Sequence, residues 1–298
     1  MSDRKVKQWI TINGNHVPIY EDESKADAFN RYIATANESK KQSDIAKNQQ
    51  EADRLNGKKP SGITINSSLK EIRNYYKDNY NINVDGSYFS NGNDVRFLID
   101  SSKELDTLYS EFPQLKTINP KVISKDFAND EARFRRFKTA TALSEKQTTN
   151  IYVNSAKFSG SNYSTSKQKY MDNVEKGSYP QNTTIANVLV HELGHKLEYI
   201  ISKKNGLSDE EIGRNSLSLA LVTRAYEKMR GQFNSMQDAR NSISGYAGKN
   251  YPFFDDIEVP AYEETFAEAV SDFISNGSNA KPFSKQIVTL IKDMLVTG

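Results

Sequence analysis

The segment Val188-Leu189-Val190-His191-Glu192-Leu193-Gly194-His195-Lys196-Leu197 is where this chain can do chemistry. Its spacing is His-Glu-x-x-His. Four residues make about one helical turn, so His191 and His195 leave the same face and can bind one metal ion together. Glu192 lies beside them, where its carboxylate can hold a zinc-bound water and take its proton. The chain has three histidines and no cysteine, so a chance motif is rare and the metal chemistry is narrowly bounded. Thiolate zinc sites, iron–sulfur clusters, thiol nucleophiles and disulfide frameworks are excluded. A catalytic zinc takes three protein ligands and keeps one position open. Position 201 is Ile, so the motif is not extended by a third histidine, and His16 sits in an N-terminal hairpin pattern. The third ligand therefore falls to a carboxylate.

Residues 262 to 273 supply one. Glu264, Glu268 and Asp272 lie at successive i+4 steps on one predicted helix face. Alone, such acids repel by a few tenths of a kcal/mol per pair, and a nearby dication with two imidazole N–H groups reverses the sign. A solvated acidic face is the ordinary alternative, but Phe266, Ala267, Ala269, Val270 and Phe273 flank the stripe and favour a packed helix. Two registers fit. Glu264 can be the ligand with Glu268 behind it, accepting the other ring proton of a ligating histidine, or Glu268 can be the ligand with Asp272 behind it.

The elements that must carry these groups are mostly helical. Thr183 or Thr184 can cap a helix through Ile185, Val188, Leu189, Leu193 and Leu197. Further helices are predicted after Ser67-Ser68, after Ser101-Ser102, from the Ser208–Glu211 capping box, across Leu217 to Met229, across Tyr262 to Ile274 with Gly277 as the stop, and from Ser284 to Met294. Val95–Ile99 and Ile151–Val153 read as strands, and residues 154 to 181 as a long polar loop. At the N-terminus, Asn13-Gly14 between β-prone runs signals a hairpin. A polar stretch from Glu21 to Lys59 then ends at Gly57-Lys58-Lys59-Pro60, the composition of a linker. The expected organisation is a hairpin and polar segment over residues 1–62, followed by an α+β domain over 63–298 with a small mixed sheet and a mostly helical second half.

Net charge is +2, so no strong global field draws the protein to nucleic acid or acidic lipid. Arg133-Phe134-Arg135-Arg136-Phe137-Lys138 mixes cations with aromatics, but an amphipathic segment explains it as well, and nucleic acid is not an expected partner. No apolar run approaches the roughly 20 residues of a membrane span, and the basic N-terminus is not followed by a signal-peptide core. A cytoplasmic or virion-associated location is the expectation.

Ser244-Gly245-Tyr246-Ala247-Gly248-Lys249-Asn250, followed by Glu264-Thr265-Phe266-Ala267-Glu268-Ala269-Val270, resembles the Ser-Tyr-Gly/Ala-x-x-Asn and Glu-Phe-Phe-Ala-Glu-Ala-Phe block of the anthrax lethal factor-like zincins and their Pro-Pro endopeptidase relatives. The resemblance implies a zincin-like fold of the glutamate-ligand class. It makes Glu264 the zinc ligand, Glu268 its support, and Tyr246 the group that stabilises the oxyanion. This chain departs from the block by extra residues, including Tyr251 to Asp256, between Tyr246 and Glu264, which leaves Tyr262 as a substitute for Tyr246. The opening Asn-Gly-x-His-x-Pro-Ile, with Pro180, Thr183 and Tyr246-Ala247-Gly248-Lys249-Asn250, is similar to phage minor head and virion-associated proteins.

The expected function is a zinc metalloendopeptidase with His191, His195 and Glu264 on the metal and Glu192 and Tyr246 as catalytic groups. Its substrate is a peptide or protein. The alternative is a phage head-associated structural protein, with virion proteins as partners, that keeps the fold without turnover.

Overall fold

The computed structural model describes residues 5–12, 15–28, 30–32, 62–85, 95–128, 140–145, 148–158, 162–214, 216–254 and 257–297. The predicted linker and the Arg133–Lys138 cluster fall largely or wholly outside them. The chain divides into two units, Met1–Ser61 and Gly62–Gly298. In the first, β1 (Val6–Ile12) and β2 (Asn15–Tyr20) pair antiparallel, with Ile12 opposite Asn15. The Arg31 guanidinium closes this unit on Glu23 at 2.8 Å and on the Pro18 carbonyl at 2.6 Å.

The second unit is α+β. It opens with α1 (Leu69–Tyr80), which starts at a reciprocal capping box between Ser68 and Glu71 and buries Ile72, Tyr75, Tyr76 and Tyr80. Next comes α2 (Val95–Glu111), so Val95–Ile99 is the first turn of a helix rather than a strand. The β-prone residues there belong to a longer 3–4 period through Leu98, Leu105 and Leu108, and burial of that stripe overrides local propensity. Ser101 and Ser102 are consequently inside the helix, not at its start. Their hydroxyls donate to the carbonyls of Ala186 and Ile99.

The mixed sheet contains β3 (Asn83–Val84), β4 (Lys121–Lys125), β5 (Ala142–Ser144) and β6 (Asn150–Asn154). Its order is β3-β4-β6-β5, parallel except for β5, which runs antiparallel to β6 at the edge. The 154–181 stretch expected as loop instead holds α3 (Ser155–Phe158) and α4 (Asn162–Glu175). Only Tyr163, Tyr170 and Val174 of α4 are buried, a stripe too thin to stand out in a polar sequence.

The rest is helical around α5 (Asn187–Lys204), with α6 (Asp209–Gly213), α7 (Ser216–Lys228), α8 (Met236–Asn241), α9 (Tyr262–Asn276) and α10 (Pro282–Thr297). A hairpin of β7 (Asn250–Phe254) and β8 (Ile257–Pro260) precedes α9. The start of α5 has no side-chain cap. Thr184 instead accepts from the Ala186 N–H at 3.3 Å, and Thr183 donates to the Pro180 carbonyl at 2.7 Å. Helices α5 and α9 cross closely at Gly194, where an added Cβ would lie 3.1 Å from Ala267 Cα. Among the described residues no helix is long and apolar enough to cross a membrane.

Candidate metal centre

The crossing at Gly194 sets the functional faces of α5 and α9 against each other. One donor atom each from His191, His195 and Glu264 lies within 4.8 Å of the others. Glu264 Oε2 is 3.1 Å from His191 Nε2 and 3.7 Å from His195 Nε2. On the opposite side of its ring, His191 Nδ1 meets Glu268 Oε1 at 2.8 Å, and Ser244 Oγ donates to Glu268 Oε2 at 2.9 Å. A carboxylate bound to the far ring nitrogen fixes the tautomer and orientation of a ligating histidine.

Of the two registers on α9, the structure therefore brings Glu264 to the histidine pair and Glu268 behind it. Asp272 does not support the site. Its carboxylate accepts from the Asn276 side chain and the Lys281 N–H, both at 2.8 Å, and ties the end of α9 to the start of α10. At 3.6 residues per turn, eight residues rotate the side chain by roughly 80° from Glu264, so an i+4 stripe leaves the shared face after its second member.

Charge and burial are matched here. Burial disfavours a charged His191, but its bonds to Glu264 and Glu268 outweigh that and hold its pKa well above the ordinary value. Burial likewise opposes ionisation of Glu264, and the two histidines more than reverse it, holding its carboxyl well below the usual range. Glu192 is pushed up by burial. Its Oε2 is a buried oxygen with no hydrogen-bond partner among the described residues. Such an atom beside two imidazoles and a carboxylate fits a metal site that also holds water.

His191, Glu192, Glu264 and Glu268 line a cleft of about 390 Å³ that is also lined by Ala140 to Leu143, the run that enters β5. Strand β6, which carries Ile151–Val153, lies between β4 and β5 and has no free edge. The Tyr246 ring lines the cleft with its centroid 5.8 Å from that of His191. It is held by backbone pairing, with Gly245 N–H donating to Gly177 O at 2.8 Å and Tyr246 N–H to Ser178 O at 2.9 Å. Tyr262 instead lies under the Arg240 guanidinium at 5.2 Å and does not line the cleft.

Tyr251 was not a candidate from sequence. Its hydroxyl donates to Glu264 Oε1 at 2.5 Å, a contact made from strand β7, which pairs with β8 ahead of α9. The departure from the family block at this point was the available signal. Tyr170 and Tyr179, also unmarked by sequence, stack at 4.6 Å along the cleft. Lys196 is buried and its ammonium donates to the carbonyls of Glu145 and Thr148, tying the turn after β5 to the motif helix. Burial lowers its pKa to about 8. No protein-family model, curated protein or solved structure matches the chain.

Proposed function

We propose that the protein is a zinc-dependent metalloendopeptidase with a zincin-like fold of the glutamate-ligand class. The observation that carries this reading is the meeting of His191, His195 and Glu264 within 4.8 Å, with the unpartnered Glu192 oxygen beside them. Two imidazoles and one carboxylate are a donor set suited to zinc with an open position. A zinc ion there supplies a Lewis acid for the peptide carbonyl and lowers the pKa of a water.

The chain's own groups account for the remaining work. Glu192, poised by burial at a raised pKa, takes the proton of the attacking water and passes it to the leaving amine nitrogen. The Tyr246 phenol keeps its proton, since burial raises its pKa, and donates it as a hydrogen bond to the carbonyl oxygen as that atom gains charge. Glu268 holds the His191 ring, and Tyr251 holds Glu264. Strand β5, at the sheet edge among the described residues, offers backbone groups along which an extended peptide can lie.

The test compares wild type and Glu192→Gln on a peptide library, with zinc content measured in both. Cleavage by wild type, lost in the variant while zinc is retained, is the expected outcome. A zinc-loaded wild type inert on every peptide favours the head-associated structural alternative.

A further inference from the structure

We propose that Lys249 determines specificity by receiving a carboxylate of the peptide substrate, either an acidic side chain or the chain's C-terminal carboxylate, close to the scissile bond. This rests on the metallopeptidase reading of the same cleft. Among the described residues, the charged groups lining that cleft are His191, Glu192, Glu264, Glu268 and Lys249, so Lys249 is the one lysine or arginine among those described. Glu264 and Glu268 are already engaged with the histidines, Tyr251 and Ser244. Among the described residues no carboxylate lies within ion-pair distance of the Lys249 ammonium. It sits instead over two aromatic faces, 5.0 Å from the Tyr246 centroid and 5.1 Å from that of Tyr251.

Cation–π contacts orient an ammonium without neutralising it, so its charge and its hydrogen-bond donors remain for an incoming anion. The backbone beneath is fixed as well. The Lys249 carbonyl accepts from Arg240 Nη2 at 2.5 Å and from the Ala261 N–H at 3.0 Å. Arg240 is fully buried and also bonds Thr265 of α9 at 2.9 Å, linking Lys249 to the helix that carries Glu264. Next to it, Gly248 packs so tightly that a Cβ would lie 1.7 Å from Asn241 Oδ1. Both rings that orient the ammonium also touch the metal-binding groups, Tyr246 through His191 and Tyr251 through Glu264. The bound carboxylate is therefore on a residue no more than about three extended positions from the cleaved bond.

The experiment uses zinc-directed peptide hydroxamates on the zinc-loaded full chain, read by calorimetry. One pair differs by Asp against Asn, and a second by a free against an amidated C-terminus, each placed one to three residues from the hydroxamate. Wild type should bind the acidic member of one pair ~10-fold more tightly, the scale of one charge-assisted hydrogen bond. The pair that shows the preference identifies the source of the carboxylate. The preference should vanish in Lys249→Met, which keeps the apolar stem over the rings, and reverse in Lys249→Glu with a Lys-containing hydroxamate. Zinc affinity and circular dichroism report whether each variant is folded. Tight binding with no acid preference, or a preference that survives Lys249→Met, overturns the assignment of Lys249 alone. A zinc-loaded wild type that binds no hydroxamate overturns the metallopeptidase reading and this inference with it.

Discussion

Glu264 and Glu268 stand one turn apart on α9 and are both nearly buried, at 8% and 3% exposure, yet they should differ in what their removal costs. Glu264 Oε2 faces both histidine Nε2 atoms, whereas Glu268 meets the far nitrogen of His191. Four-ligand zinc sites bind with about 10–16 kcal/mol, roughly 2.5–4 kcal/mol per ligand. At about 1.4 kcal/mol per decade, Glu264→Ala should weaken zinc by ~10²- to 10³-fold. Loss of an outer partner of a ligating histidine costs about 10- to 100-fold, the range expected for Glu268→Ala. Competition against a chromophoric chelator at pH 7 measures both, with circular dichroism of the metal-free proteins confirming the fold. Glu268→Gln keeps an acceptor for His191 Nδ1 and should fall between wild type and Glu268→Ala. The reasoning is refuted if Glu268→Ala loses zinc more severely than Glu264→Ala, which would put Glu268 on the metal.

Zinc binding should release about one proton near pH 7. Without metal, the stabilisation from His191 is complete below the unfolded value of about 6.5 and is lost as pH rises through its raised folded value. That from Glu264 is complete above its unfolded value of about 4.3 and is lost as pH falls through its depressed folded value. The metal needs neutral imidazole, so titration calorimetry in buffers of different ionisation enthalpy should show the proton leaving, and binding without proton release would contradict this. Gly194→Val places methyl groups where a Cβ alone is already 3.1 Å from Ala267 Cα. It should cost about 1–3 kcal/mol in denaturant unfolding and weaken zinc by parting α5 from α9; unchanged zinc affinity would show that the crossing does not set the site. Tyr246→Phe should lower kcat by about 10²- to 10³-fold with zinc affinity retained. Tyr251→Phe should weaken zinc by about 10-fold through Glu264, and a reversed pattern would exchange the two roles.

The legible parts of this molecule were those governed by short-range periodicity. The motif helix, the acidic helix with its stop at Gly277, the capping box at Ser208 and the N-terminal strand pairing all follow from patterns within a few residues. Where local pattern and burial disagreed, burial prevailed, as in the helix that begins at Val95 and in α4 with its thin buried stripe. The site divided in the same way. His191, Glu192 and His195 are adjacent on one turn, so their shared face is a property of the chain itself.

What sequence alone determined is which groups can meet: two histidines one turn apart, no thiol, and acids in a stripe that admits more than one register. Which acid meets them depends on the azimuth and approach of α9 against α5, set by the contact of Gly194 with Ala267 across 73 positions between His191 and Glu264. Tyr251 and Lys249 line the cleft through tertiary contacts, the Tyr251 hydroxyl bonding Glu264 and buried Arg240 bridging the Lys249 carbonyl to Thr265 of α9. Helical periodicity carries orientation along one element, but no local pattern encodes the angle at which two elements pack, and that angle decides which carboxylate meets the histidines.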